Sequence, residues 1–468
     1  MKKELLRKVP SVDVVLSRLE SRHIIQEYGR EEVLKAARST LEELRSELLT
    51  EGSSSTSGAA VSEENLALRI ERRLAKKNTP SLRKAINATG ILIHSGLGRA
   101  VLAEDARKAL IGAAEGYSTL ATDIETGRRG NRDSHYSPIL QELTGAESAL
   151  VVNNNAAATV LILSTLAKGK EVIISRGQLV EIGGSFRMPD VMATSGAVLR
   201  EVGTTNKTHL SDYESAINEN TGAIMRVHHS NYRIMGFAGE PEIEDLVDVG
   251  QKHNIPVIDD LGSGSLVDLK EFGLETEPLV ERSIKAGVDV ACFSGDKLIG
   301  GPQSGIIVGK AEAIARIKKN PLARAFRVGK LTIAALTETL RLFLNPEKLK
   351  ERHPVYGMLS VSTDNLKKRA LSAVRKLKKS VSGPAEFHIE ESGSQVGSGS
   401  VPVETIPTIV LAVKTPNFTP DALLKCLRHN EPPVFARIAK EAVLLDFRTI
   451  LPDEDGLVIE AVKKILTA

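Results

Sequence analysis

Three short strings in the 468-residue chain hold residue types that could do chemistry together. The first is Ser294-Gly-Asp-Lys297-Leu-Ile-Gly-Gly-Pro. It sets a lysine just past an apolar, strand-like run, in a glycine-punctuated turn. A lysine drawn out of water loses proton affinity, and its amine then suits Schiff-base chemistry. A surface lysine in a turn fits the same string. The second, Ile255-Pro-Val-Ile-Asp259-Asp260-Leu-Gly-Ser-Gly, is an apolar strand that ends in two carboxylates. Ligands of open parallel sheets bind beyond the carboxyl ends of strands, so an acid there faces a cleft. Successive strand residues point to opposite faces, so only one of Asp259 and Asp260 can reach such a ligand. The third, Val151-Val-Asn153-Asn154-Asn155-Ala156-Ala-Ala, runs from a strand into a helix start. Unpaired amides and the helix dipole make such a start a phosphate cup, although Asn is also a common N-cap.

A phosphate cup, then an acid, then a lysine 37 residues beyond Asp260 is the order found in aspartate-aminotransferase-like pyridoxal enzymes. There the acid keeps the ring nitrogen protonated, which makes the ring an electron sink.

The elements that must position these residues follow from periodicity. Between about 85 and 330, Val/Ile-rich runs begin at Ala149, Glu171, Ala197, Ala223, Ile255, Val288 and Gly305, with helical patterns between them. Such strand–helix–strand units imply a mostly parallel sheet covered by helices. Before this region, Leu34, Ala37, Leu41, Leu44 and Leu48 form one helical stripe, and Leu66, Ile70 and Leu74 another. The small polar run from Gly52 reads as a flexible loop. Beyond Pro346 a long helical segment leads to strand-like runs at Thr408, Val434 and Ala442, a smaller α+β part. The expected division is a helical head over 1–80 with a flexible loop at 52–62, a large α/β domain over 81–340 and a small α+β domain over 341–468.

Composition bounds the setting. Apolar residues make up 41% and two cysteines, Cys292 and Cys426, cannot form a disulfide framework. No run approaches the roughly 18 apolar residues of a membrane span, and the first residues lack a signal peptide's apolar middle. A cytoplasmic protein without a membrane partner is expected. The 62 Lys and Arg against 59 Asp and Glu leave a net charge of +3, which on its own argues against a nucleic-acid binder. Local balance says otherwise. Residues 69–84 hold seven basic side chains against Glu71, and residues 364–380 seven against Asp364, so each stretch carries +6 and the remainder about −9.

Taken together, Ile86-Asn-Ala-Thr-Gly, Leu97-Gly-Arg-Ala, Glu125-Thr-Gly-Arg-Arg-Gly, Glu181-Ile-Gly-Gly-Ser-Phe-Arg, Gly203-Thr-Thr-Asn-Lys-Thr, Ser230-Asn-Tyr-Arg and Ser294-Gly-Asp-Lys-Leu resemble the bacterial selenocysteine synthases, the L-seryl-tRNA(Sec) selenium transferases. The resemblance implies an aminotransferase-like, fold type I α/β enzyme that uses pyridoxal 5'-phosphate. It implies Lys297 as the Schiff-base lysine, Asp260 as the ring-nitrogen partner, and Asn153, Asn154, Asn155 and Ala156 as the phosphate cup, with Ser294 beside the lysine. It assigns selenophosphate to Arg99, Arg324 and Arg327. The last two are spaced i, i+3, as one helical face would place them. Such arginines match a phosphate-like anion with a fixed fork and stay charged.

The implied reaction takes seryl-tRNA(Sec) through β-elimination to an aminoacrylate and adds selenium at Cβ. Lys297 would remove the Cα proton. The N-terminal helices would grip the tRNA, with Arg69, Arg72, Arg73 and Lys76 on one face; each phosphate contact adds salt dependence. A decameric homo-oligomer is implied as well. Three positions depart from the usual pattern: His94-Ser95-Gly96 stands for His-Thr-Asn, Gln178 for Glu, and His229 for Thr. The rival expectation is a pyridoxal ammonia-lyase or β-eliminase acting on a small amino sugar or amino acid, and relatives of that kind lack the N-terminal helices.

Overall fold

The apolar stripes resolve into two compact units, Met1–Lys84 and Ala85–Ala468. A computed structural model describes residues 8–50, 61–184, 186–274, 277–401 and 404–467. The loop expected over 52–62 falls outside the described residues as far as 60. Val61 is buried and Ser62 already caps the next helix.

The first unit contains α1 (Val12–Ser21), α2 (Arg30–Thr50) and α3 (Glu63–Asn78). Ser11 and Ser62 accept from the Val14 and Asn65 amides, so two helix starts are capped in the way serine favours. Leu41, Leu44, Leu48, Leu66, Ile70 and Leu74 fill the core, while Leu34 is only partly buried and Val33 takes the inner position.

In the second unit the sheet strands are β1 (Ser148–Val152), β2 (Glu171–Ser175), β3 (Val198–Val202), β4 (Thr221–Val227), β5 (Val257–Gly262), β6 (Val290–Ser294) and β7 (Gly305–Gly309). Their order is β1-β7-β6-β5-β4-β2-β3. Only β7 runs antiparallel to its neighbours. Alternate residues feed different cores: Val257 and Leu261 pack on one face of β5 and Ile258 on the other. Burial on both faces is why these strands read as continuous Val/Ile runs. Helix α4 (Asn155–Leu166) leaves the end of β1, and the short α5 (Pro321–Ala325) lies farther along the chain.

A second sheet contains β8 (Glu386–Ser394), β9 (Ile406–Lys414), β10 (Arg437–Ala439) and β11 (Ala442–Asp446), in the order β8-β9-β11-β10. Helices α6 (Thr363–Ser380) and α7 (Asp455–Thr467) pack on it. Strand β8 was not expected from the sequence. It is an edge strand in which Phe387 and Ile389 stand among Glu, His, Ser and Gly, too short an alternation to announce it. Residues 86–87 pair in parallel with 434–435 and tie the start of this unit to its later part. Among the described residues no helix is long and apolar enough to cross a membrane, no His/Cys/Asp/Glu group could hold a metal, and both cysteines are free.

Candidate active site

The pleat decides between the two aspartates. Asp259 is fully buried and takes a two-pronged bond from Arg226, at 2.8 and 2.7 Å. Asp260 turns to the other face. There its Oδ1 accepts from Asn155 Nδ2 at 2.8 Å and from the Gly262 amide at 3.0 Å, and its Oδ2 from Thr159 Oγ1 at 3.0 Å. Burial pushes the Asp260 carboxyl up from the ordinary aspartate range; the three donors and the Lys297 charge pull against that. Asn155 and Thr159 are four apart on α4, hence on one helical face.

Lys297 follows the wholly buried β6, of which Ser294 is the last residue. The turn closes on itself through Gly295 to Ser304 and Gly301 to Gly295 amide–carbonyl bonds, both 2.8 Å. At Gly300, φ is +68° and a Cβ would lie 2.1 Å from the His353 ring, so glycine is required there. Lys297 is only 6% exposed. Burial lowers its proton affinity and Arg99 lowers it further, against the opposing pull of Glu277, Asp260 and Asp296. A buried amine of reduced basicity beside a held carboxylate is the pairing that Schiff-base chemistry needs.

At the start of α4, Asn154 is the N-cap, its Oδ1 accepting from the Ala157 amide at 2.8 Å. The Asn155 side chain is engaged with Asp260, so what this helix start offers an anion is the first-turn main chain of Asn155 and Ala156. Asn153 is exposed, and its amide bonds Phe326 O at 3.0 Å. A Cβ at Gly305 would lie 2.2 Å from Asn154 O, so only glycine lets β7 run this close to the helix start.

Arg99 has φ +66° and donates from Nη1 to Asp296 Oδ2 at 2.7 Å, which sets it next to the lysine turn. Arg324 and Arg327 do not share a helical face. Helix α5 ends at Ala325, the chain turns at Phe326 (φ −91°, ψ 6°), and Arg327 bridges to Val152 at the end of β1. Both remain exposed, and together with burial their charges hold Arg132 below the usual arginine range. Among the described residues no hydrogen bond or ion pair joins Arg99 to either of them.

Several residues at the site escaped sequence reasoning. The i, i+4 spacing of Asn155 and Thr159 could have flagged Thr159. Nothing local flags Arg132, His228 or Glu277, which the fold brings in from elsewhere. The departures are also placed. Gln178 is buried, donates to Glu240 Oε2 at 2.9 Å and accepts from the Val227 amide at 3.0 Å. His229 Nε2 lies 3.2 Å from the other Glu240 oxygen and 2.9 Å from Gly177 O. His94 Nδ1, in the remaining departure, is buried without a partner.

In the first unit, Arg69 grips Glu47 through two bonds of 3.1 and 2.9 Å, and Arg73 meets Glu43 at 2.6 Å. Arg72 and Lys76 are exposed and have no hydrogen-bond or ion-pair partner among the described residues. In α6, Arg369 is spent on Asp455 and on the Phe447 and Ile450 carbonyls, so it leaves the basic set of that stretch.

The site residues fit pyridoxal phosphate. Besides the lysine, the carboxylate and the helix start, Asn155 Oδ1 and His228 Nε2 are buried there without partners, polar atoms that a polar ligand would suit.

Comparison with known proteins agrees with this geometry. A family profile described as L-seryl-tRNA selenium transferase matches residues 85–451, and one described as selenocysteine synthase N terminal matches 6–45. An L-seryl-tRNA(Sec) selenium transferase of Alkaliphilus metalliredigens is 46% identical over 464 residues, 99% of each chain. One of Clostridium botulinum is 44% identical over 465 residues, again 99% of each. Among solved structures, a D-glucosaminate-6-phosphate ammonia-lyase is 21% identical with a TM-score of 0.58, covering 84% of this chain and 98% of its own; it shares the fold. With 46% identity along its whole length and a profile match across the entire site, this chain belongs to the L-seryl-tRNA selenium transferase family.

Proposed function

We propose that this protein converts L-seryl-tRNA(Sec) to L-selenocysteinyl-tRNA(Sec), with selenophosphate as the selenium donor and pyridoxal 5'-phosphate as cofactor. The observation that carries the reading is a buried Lys297 near an Asp260 held by three donors, in a chain whose relatives of that name match end to end. Lys297, Asp260 and the Asn155–Ala156 main chain would hold the cofactor, through its aldehyde, ring nitrogen and phosphate respectively. When bound, the cofactor supplies an electron sink for the substrate Cα. Lys297, its basicity reduced by burial, takes the Cα proton onto Nζ. The Cβ–O bond then breaks with its electron pair on oxygen, and the oxygen takes up a proton from an acid of the site and leaves as water. Arg99, Arg324 and Arg327 orient selenophosphate so that selenium adds to Cβ; a proton carried in by selenophosphate passes through Lys297 to Cα, and water then cleaves the P–Se bond and releases phosphate.

The helical head, 1–80, binds tRNA, and Arg72 and Lys76 are the side chains best placed to reach phosphates. Residues 81–340 form the cofactor part and 341–468 the part that closes over it. The protein works in the cytoplasm, as a homodecamer by family resemblance. The test is conversion of seryl-tRNA(Sec) with selenophosphate by the unaltered protein, Lys297→Ala and Arg324→Ala. Lys297→Ala should lose turnover together with visible cofactor absorbance, while Arg324→Ala should keep the absorbance and lose turnover at low selenophosphate. Retained turnover in Lys297→Ala would sink the lysine assignment.

A further inference from the structure

On the Lys297 side of the site lie two side chains that the reaction as described does not use. Glu277 Oε2 and His228 Nε2 are 3.5 Å apart, and the Glu277 side chain is fully buried. Neither atom has a hydrogen-bond partner of normal length. Each is fixed from its other end. Glu277 Oε1 accepts from the Val401 amide at 2.9 Å, and the His228 amide donates to Asp260 O at 2.9 Å. His228 also lines a cleft of ≈ 320 Å³, shared with His229, Tyr232 and Glu240.

Resting on the function proposed above, we propose that Glu277 and His228 form one proton-sharing pair that protonates the departing β-hydroxyl and is then recharged by Lys297. The steps balance. Lys297 Nζ takes the Cα proton; the Cβ–O bond breaks with its electron pair on oxygen; that oxygen takes a proton from the pair and leaves as water. The Lys297 proton then returns to the pair.

The surroundings suit such a carrier. Burial raises the Glu277 carboxyl to about 7, with Glu404 pushing the same way and Lys297 and the Val401 amide opposing. Burial lowers His228 to about 4; the charges of His229, Arg226 and Lys297 add to the lowering and Asp259 opposes it. Near neutrality His228 thus faces Lys297 in its neutral form, while Glu277 is divided between acid and carboxylate, with a proton to give and a place to take one back. On the lysine, Arg99 lowers proton affinity, while Glu277, ahead of Asp260 and Asp296, raises it.

The test uses the cofactor-loaded protein with Glu277→Gln and Glu277→Asp. The glutamine variant keeps the shape but cannot give up a proton. Its kcat should fall about 100-fold or more and lose the alkaline limb near neutrality, with KM for seryl-tRNA(Sec) nearly unchanged. Independently of turnover, the pH at which the absorbance of the Lys297-bound cofactor changes should move down, because the carboxylate form of Glu277 that favours the protonated state is gone. The aspartate variant should recover the alkaline limb. Equal losses in both variants, or a glutamine variant with an unmoved absorbance transition and near-normal kcat, would overturn the pair. An unaltered protein with no cofactor absorbance would sink the underlying reading and this one with it.

Discussion

Asn155 Nδ2 donates to Asp260 Oδ1 at 2.8 Å, so the helix that presents its amino end to an anion is tied by its own first residue to the carboxylate one strand system away. The phosphate end and the ring-nitrogen end of the candidate site therefore cannot drift independently. Thr159, one turn farther along the same helix, makes the second tie.

Removing both ties tests this. Asn155→Ala with Thr159→Val leaves Asp260 one donor, the Gly262 amide, and lets burial push its carboxyl higher still. Hydrogen bonds to a charged group contribute about 1.5–3 kcal/mol each, so cofactor affinity should fall roughly tenfold or more. Absorbance titration with pyridoxal phosphate measures it; unchanged affinity would mean that the two donors are idle.

The adjacent aspartates should respond in opposite ways. Asp259→Asn breaks a buried ion pair and strands Arg226, at a cost of about 3–5 kcal/mol, while the cofactor spectrum of the surviving protein stays normal. Asp260→Asn should leave thermal stability nearly intact and alter the spectrum and turnover. Melting curves and spectra of the two variants side by side decide it, and a swap of the two phenotypes would refute the facing assigned here.

Acid sensitivity should trace in part to His353. Burial lowers it to about 4 against an ordinary value of 6.5, and its Nε2 bonds Ile299 O at 3.0 Å beside the lysine turn. The folded state keeps it neutral while the unfolded chain protonates it, so its stabilising contribution is complete above 6.5 and is lost as pH falls towards 4. The amount is on the order of 3 kcal/mol. His228 acts in the same direction; Glu277, raised to about 7, acts in the opposite one. His353→Gln should melt lower at pH 7 yet lose less on going to pH 5 than the unaltered protein. A drop as steep as before would clear His353.

On the helical head, four basic residues of similar appearance should separate into two classes. Arg72→Ala and Lys76→Ala should each weaken tRNA(Sec) binding and lower the salt slope by about one. Arg69→Ala and Arg73→Ala should do so much less, since Glu47 and Glu43 already hold those guanidinium groups. Binding curves at several salt concentrations distinguish the classes, and equal slopes for all four would refute the division.

How much of this was legible beforehand depends on whether the signal was local. Apart from the exposed edge strand β3, the strands of the large sheet are largely buried and wrote themselves as Val/Ile runs. Lys297 and Asp260 sat at the ends of such runs, where open sheets bind ligands. The pleat limited the choice to one of two aspartates and the family resemblance named Asp260; the Arg226 bond to Asp259 is what the residues alone did not foretell. Edge strand β8 left only Phe387 and Ile389 as an apolar trace, too short to read as a strand. The i, i+3 spacing of Arg324 and Arg327 suggested a shared helical face, but the helix ends at Ala325, two residues short of Arg327. Glu277 and His228 lie in strings with no motif, and their meaning comes entirely from what surrounds them after folding.

Gln178 and His229 clasp the two oxygens of one carboxylate, Glu240, from opposite sides. The two departures are therefore one exchange and not two. Restoring glutamate at 178 alone would set a buried acid against Glu240 and withdraw the amide hydrogen that joins them; restoring threonine at 229 alone would leave that carboxylate without its imidazole. A mutational path between this chain and the commoner pattern must cross an unbalanced intermediate, so residues grafted here from a relative have to travel as a set.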